Sequence, residues 1–385
     1  MQCTVCPRSF HYKCLTGNER NKINLEKNWV CPECMIVLHA ESSETRSQAM
    51  KKISLGMLCD LLKHALERMM DLNGVEPFMQ PVDRASFPDY DKYVVHPMDL
   101  SLMKDNIAEG LYGSTEAFLT DAQWILHNSI IFNTLQSKLT AGARALVRSC
   151  RAEMGEIEAC PECYAAAHAR RPTWFTDVCT TPHILFWAKL KGFPYWPAKG
   201  MSVNSAGLVD VRFFGAHDRA WVPSKDCFLY SEKDPNNFRT KRQDIIDSMQ
   251  EAEQHIRNIS RKYGRFVYPP FKTQFDPTKM NEQLKMMIPT FEGEVRSLVK
   301  EKASPVAAKE KSRSNSKSSK SSFNDGYLLH SDSSDSDGEE LLRLQTLLHK
   351  TSDMSENEDT HTVAARKMAD GAEIAKMDEE DCTTD

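Results

Sequence analysis

Three ligand pairs crowd the first 34 residues: Cys3-x2-Cys6, His11-x2-Cys14 and Cys31-x2-Cys34. Thiolates and imidazole at this spacing suit tetrahedral zinc. A segment so short folds only by binding its metal. Trp29, two residues before Cys31, is placed to cover the site. A second set follows in Cys160-Pro-Glu-Cys163 and Cys179-x3-His183, with His168 as a rival fourth ligand. Eight of the twelve cysteines are thus candidate zinc ligands, and Cys59, Cys150, Cys227 and Cys382 are left over. None of those four sits beside a histidine in sequence to suggest a nucleophile. The chain has no run of 18 apolar residues and no charged-then-apolar leader, so it reads as soluble, without a membrane partner, and its cysteines as ligands and free thiols before disulfides.

Between the two ligand sets the apolar residues take helical spacing. Leu55, Leu58, Leu62, Leu66 and Met69 form a stripe that Asn73-Gly74 ends. A loop over 74–98 follows, then a short helix capped by Asp99. A third helix over about 115–132 has Ser114 or Thr115 as its cap, and the fourth carries Leu139, Ala143, Leu146, Val147, Cys150, Met154 and Ile157. This predicts an all-α four-helix bundle over 50–158. Phe118, Ala122, Ile125 and Leu126 are the buried face of the third helix, which runs out at Asn133. A carboxamide at the lip of a bundle can donate and accept, which suits a neutral amide such as acetyl-lysine. The plainer reading is an Asn that merely ends a helix.

The flanking motifs favour the first reading. Glu76-Pro77-Phe78, Pro81-Val82-Asp83, Phe87-Pro88-Asp89-Tyr90 and His96-Pro97-Met98-Asp99-Leu100, followed by Asn133, together resemble a bromodomain. The resemblance implies that Asn133 donates to the acetyl carbonyl and Tyr90 binds it through water, while Pro77, Phe78, Val82 and Leu139 line the slot. Glu76 stands where the family usually has Trp, and Phe132 in the slot where it usually has Tyr. These departures imply weaker or altered acetyl-lysine selectivity. The first ligand set resembles the later part of a PHD finger, spanning 1–36. In that scheme Cys3, Cys6, Cys31 and Cys34 form a complete site, while His11 and Cys14 belong to another whose first Cys pair would precede Met1. The second set, Cys160, Cys163, Cys179 and His183, reads as a zinc knot over 160–183.

Over 184–268, Trp187 to Pro197 reads as two short strands around a Pro-rich turn. Strands over 207–215 and 219–223 follow, then a helix marked by Ile245, Ile246, Met249, Ala252, Ile256 and Ile259. This resembles a PWWP domain, with Pro194-Tyr195-Trp196-Pro197 as its motif, and implies a small five-stranded β-barrel with C-terminal helices. By resemblance Phe193, Trp196 and Phe213 form a cage for methyl-lysine, because ring faces attract a cation. Strand alternation puts Phe213 on the face of Val209 and Val211, which suits a core ring, so Phe214 is a rival. Lys189, Lys191, Lys241 and Arg242 are candidate DNA phosphate contacts, or simply a solvated surface.

The formal net charge is −5, unevenly spread. Residues 324–385 hold 17 Asp/Glu against 5 Lys/Arg, so the first 323 residues are net positive by about 7. A basic body with an acidic tail suggests a nucleic-acid or chromatin setting. The tail over 290–385, Lys/Ser-rich and then acidic, reads as disordered by composition, with Leu341, Leu342, Leu344, Leu347 and Leu348 as one short amphipathic segment.

The series finger, bromodomain, knot, PWWP resembles the reader cassette of the MYND-type zinc-finger chromatin proteins. No MYND Cys/His cluster follows in these residues. The resemblance implies a nuclear transcriptional co-regulator, often a co-repressor, with structural zinc as cofactor and with modified histone tails, nucleosomal DNA and co-repressor complex proteins as partners. An enzyme is disfavoured: no glycine phosphate loop, paired-carboxylate motif or open zinc site appears. A protein-interaction scaffold with degenerate histone pockets is the alternative, on the strength of Glu76 and Phe132.

Overall fold

The computed structural model describes residues 1–17, 19–20, 28–169, 171–236 and 242–293. Lys241, Cys382 and the expected tail beyond 293 lie outside the described residues.

The N-terminal segment folds round a small cluster of Cys3, Leu15, Trp29, Cys31 and Cys34. It runs into helix α1 (Pro32–Glu41), whose N-cap is Cys31, with Pro32 in the first turn. Proline suits that position, because its missing N–H would have no helical partner there. Ser54 caps α2 (Leu55–Met70), and Asp99 caps α3 (Leu100–Ala108) by accepting from the Leu102 N–H at 3.0 Å. Ser114, rather than Thr115, caps α4 (Thr115–Asn133), and Ser137 opens α5 (Lys138–Ala159). These four helices bury Leu58, Leu62, Leu66, Met69, Met103, Ile107, Phe118, Ile125, Leu146 and Ile157 in one core. Each such side chain contributes about 1.5–3 kcal/mol before conformational entropy is charged against it. The third helix, expected over about 115–132, runs Thr115–Asn133, and the expected loop over 74–98 carries a one-turn helix at Tyr90–Tyr93.

Cys160 ends α5 and caps α6 (Pro161–His168). The chain then enters an antiparallel sheet of β1 (Leu185–Lys189), β2 (Tyr195–Val203), β3 (Leu208–Phe213), β4 (Arg219–Pro223) and β5 (Cys227–Leu229), in the order β4-β3-β2-β1-β5. A register shift falls between Gly200 and Ser202. A Cβ at Gly200 would meet the Phe186 ring at 2.4 Å, so only glycine lets β2 lie so close to that ring. Helix α7 (Gln243–Tyr263) packs Ala252, Ile256 and Ile259 into the core of the sheet domain, and α8 (Met280–Met287) closes that core with Leu284 and Met287.

The parts are tied together by polar side chains. Arg8 lies over the Trp124 ring at 3.7 Å, and Glu41 accepts from the Gly113 N–H at 3.2 Å, both joining the N-terminal segment to the bundle. Glu156, near the end of α5, accepts from Arg212 at 2.5 Å and Arg219 at 2.8 Å, and Arg219 also grips the buried Asp210 through two bonds of 3.1 Å. One carboxylate of the bundle thus holds two strands of the sheet. No helix among the described residues is long and apolar enough to cross a membrane.

Candidate functional sites

Asn133 is the last residue of α4, half-buried, and its Nδ2 donates to Ser129 Oγ at 3.3 Å. A carboxamide has two N–H groups, so one is left to donate to a ligand. Thr134 follows with φ 71° and ψ 162°, a region otherwise reserved for glycine. The strain ends the helix at the carboxamide, and the Thr140 hydroxyl, which donates to the Thr134 carbonyl at 2.7 Å, holds it there. Phe132 is ringed by Tyr90 at 4.9 Å, Phe87 at 5.8 Å and Tyr93 at 6.4 Å between centroids. Tyr90 is buried, and that burial raises its pKa, so its hydroxyl keeps its proton at neutral pH. Val82 and Phe78 are half-buried, and Pro77 and Leu139 are exposed. Gly142 of α5 passes so near the start of the 74–98 loop that a Cβ there would meet the Gly74 carbonyl at 2.5 Å and touch the Phe78 ring.

Two positioning residues went unnoticed in the sequence. Arg84 binds Asp91 at 2.8 and 3.1 Å, donates to the Val82 carbonyl at 2.6 Å and lies 4.8 Å over the Tyr90 ring. It holds Val82 and Tyr90 in one loop. Asn128 is buried and donates to the His96 carbonyl at 2.7 Å, fixing the far end of the loop to α4. Neither stands at a helical or motif spacing that marks it. A polar residue five positions before a motif Asn was the single available hint.

In the sheet, Trp196 is half-buried and its Nε1–H donates to the Phe214 carbonyl at 2.9 Å. Ala198 is paired with Phe213, so Trp196, two residues along β2, shares the Phe213 face as its diagonal neighbour. Phe214 is fully buried in the core against Phe175 and is no rival for a cage; Phe213 is half-buried. Phe193, half-buried, follows the turn between β1 and β2, its N–H bonded to the Leu190 carbonyl at 3.0 Å. Lys189 and Lys191 are exposed at that turn, with Lys189 Nζ 5.3 Å from the Tyr195 ring. Arg242 is exposed but already ion-paired with Asp244.

The ligand atoms of Cys3, Cys6, Cys31 and Cys34 lie within 4.8 Å of one another, as do those of Cys160, Cys163, Cys179 and His183. Four sulfurs at 2.3 Å from one zinc would be about 3.8 Å apart in a tetrahedron. Cys6 and Cys31 sulfurs are 3.7 Å apart, Cys160 and Cys179 3.7 Å, and Cys163 and Cys179 3.4 Å, while His183 Nε2 is 3.2 Å from Cys163 Sγ. Both sets fit the ion. His183 Nδ1–H donates to the Gly200 carbonyl at 3.2 Å, which leaves Nε2 as the ligand atom. His168 instead stacks on His64 at 4.9 Å, away from the cysteines, and is removed as a rival. In the finger, burial pushes the Cys34 thiol up to about 12, while Cys3 is held at about 6: burial opposes its ionisation, and the Cys31 and Val5 N–H groups outweigh that. A cation at the centre relieves this opposition by stabilising all four thiolates. His11 and Cys14 flank an exposed turn, with no further ligand gathered round them among the described residues.

These observations agree with the comparisons. The chain matches the PHD-finger family over residues 1–34, the bromodomain family over 62–145 and the PWWP domain family over 184–257. It is 41% identical over 292 residues, 75% of this chain, to the fruit fly "MYND-type zinc finger-containing chromatin reader Zmynd8" (Drosophila melanogaster). The chain carries a PHD–bromodomain–PWWP cassette resembling that of a MYND-type zinc-finger chromatin reader. It spans 17% of that relative's length. Two further fruit fly proteins match shorter parts of the chain. "Transcription initiation factor TFIID subunit 1" is 36% identical over 28% of this chain and 5% of its own. "Nucleosome-remodeling factor subunit NURF301" is 29% identical over 37% of this chain and 5% of its own. The cassette's domains are of reader rather than enzyme type, and its cofactor is structural zinc.

Proposed function

We propose that the cassette is a nuclear chromatin reader, a transcriptional co-regulator of the co-repressor kind, that binds acetylated and methylated histone lysines and nucleosomal DNA. The observation that carries the reading is the Asn133 carboxamide: half-buried, ending a helix beside the Phe132 ring cluster, with one N–H committed to Ser129. Asn133 would donate to the acetyl carbonyl, Tyr90 would reach it through water, and Pro77, Phe78, Val82, Leu139 and Phe132 would line the slot. Phe193, Trp196 and Phe213 would form the methyl-lysine cage. Lys189 and Lys191 would meet phosphates; Arg242 is the weaker candidate because Asp244 already neutralises it. Cys3, Cys6, Cys31 and Cys34 would hold one zinc and Cys160, Cys163, Cys179 and His183 another; in neither set is a position left for substrate. Each pocket alone binds weakly, and their fixed linkage raises the effective concentration for the second contact.

The test is a titration of acetylated histone peptides into wild type and Asn133→Ala. Loss of the donor strands a carbonyl already stripped of water, at a cost of about 1–3 kcal/mol, or roughly 5- to 150-fold in affinity. Equal affinities would favour the scaffold alternative, which draws its support from the hydroxyl-free Phe132 and the polar Glu76.

A further inference from the structure

Residues 270–273 form a tight turn in the sheet domain. The Thr273 N–H and hydroxyl both donate to the Pro270 carbonyl, at 3.1 and 2.7 Å, and Lys272 sits at φ 56°. This places Phe271 and Lys272 at the two corners of the turn. Phe271 is 44% exposed, large for an aromatic ring with no function in the core. Two ammonium groups stand over it, Lys233 Nζ at 4.6 Å and Lys272 Nζ at 5.2 Å from the ring centroid. A second ring carries the same arrangement. Tyr195 has Lys189 Nζ at 5.3 Å and stacks on Phe228 at 5.0 Å.

The two lysine-capped rings are joined on one piece of surface. Asn236, in the loop that bears Lys233, binds both the N–H and the carbonyl of Tyr195, at 2.9 and 2.8 Å. Phe228 is bridged to Gln274, three residues from Phe271. Neither ring site coincides with the acetyl-lysine slot or the Trp196–Phe213 face.

We propose that this surface binds single-stranded nucleic acid, with a base stacked on Phe271, a second on Tyr195, and backbone phosphates met by Lys189, Lys233 and Lys272. Two features argue for a single strand. A duplex buries its base faces against one another and would use the lysines while leaving an exposed ring idle, whereas an unpaired base has a free π-face. An acidic peptide would likewise use the cations and not the ring. Glu232 and Asp234 flank Lys233 in sequence, so the field here is modest and stacking carries the larger share of the binding. With three phosphate contacts the salt dependence should be shallow, with a slope of about −2 in log K against log salt.

The test is fluorescence anisotropy with the full chain and one labelled oligonucleotide sequence presented as single-stranded RNA, single-stranded DNA and duplex DNA. The comparison set is wild type, Phe271→Ala, Phe271→Tyr and the double variant Lys233→Gln with Lys272→Asn, since Asn tolerates the left-handed conformation. Phe271→Ala should weaken single-strand binding roughly 5- to 100-fold and leave duplex binding within about twofold. Phe271→Tyr should restore single-strand binding, which separates stacking from a damaged fold. The double variant should flatten the salt slope. The RNA and DNA arms tell which kind of strand is preferred. Absence of single-strand binding in wild type, an equal loss on duplex and single strand, or no loss in Phe271→Ala would each overturn the proposal. So would displacement of the strand by polyglutamate with no dependence on Phe271.

Discussion

Several polar side chains here owe their state to a neighbour that is visible only in three dimensions. His255 is the clearest case. It is fully buried on α7, its Nδ1–H donates to the Thr176 carbonyl at 2.9 Å, and its Nε2 has no partner among the described residues. Burial, with the nearby Lys199 ammonium, holds its pKa well below the usual imidazole value. The unfolded chain therefore takes up a proton that the native chain refuses. Stability is fully present above about pH 6.5 and falls as pH drops below it, by up to about 1.4 kcal/mol per pH unit. His255→Leu should flatten this part of the pH dependence, measured as denaturant midpoints between pH 7 and pH 5. The Thr176 carbonyl would still be satisfied by Asn258 Nδ2 at 3.0 Å. A variant that tracks wild type across that range would show that His255 takes up its proton equally in the native and unfolded chains. At this scale a motif in the sequence singled out Asn133, Tyr90 and Trp196, and the structure sets Tyr90 against Phe132 beside Asn133 and binds Trp196 to the Phe214 carbonyl. The sequence was silent where the role is a long-range hydrogen bond, as for Asn128 and His255, because no spacing rule marks a contact across 32 or 79 residues, and for Arg84, whose bonds lie within one irregular loop.

At the level of elements the bundle was readable because its helices carry both a regular apolar face and a polar cap. Helix α1 was missed: it leaves Ile36 and Leu38 exposed and so lacks a clean stripe. The cue lay in the tetrapeptide Cys-Pro-Glu-Cys, which occurs at 31–34 and again at 160–163. In both copies the first cysteine is the N-cap, its sulfur accepts from the second cysteine's N–H at 3.5 Å, and the proline opens a helix. One local structure thus serves metal binding and helix initiation together. The joint between α5 and the sheet rests on Glu156, and no periodicity could have paired it with Arg212, 56 residues away. Glu156→Ala leaves Arg212, which is largely buried, short of its nearest carboxylate, and should cost about 1–3 kcal/mol. Differential scanning calorimetry should then show the bundle and the sheet domain melting as two transitions. A single unchanged transition would mean that the apolar contacts alone join them.

For the molecule as a whole, metal and nucleosome experiments are the decisive ones. At least two zincs should be found per folded chain by elemental analysis, and Cys31→Ser and Cys160→Ser should each remove one; less than one zinc per chain would refute the pairing of ligands. Nucleosome binding should separate into two parts. Trp196→Ala should abolish the preference for methylated over unmodified nucleosomes and spare bare-DNA binding. Lys189→Glu with Lys191→Glu should weaken DNA binding and lower the salt slope by about 2. If both variants lose both properties together, the cage and the DNA surface are one site. The Glu156 carboxylate has one more consequence at this scale. By seizing β3 and β4 from the end of α5, it sets the separation between the Asn133 end of the bundle and the Trp196 face of the sheet. A pair of jaws locked at one opening acts as a gauge: on the proposed function, two marks at the matching distance would engage both, and the same two marks placed closer or farther would engage only one.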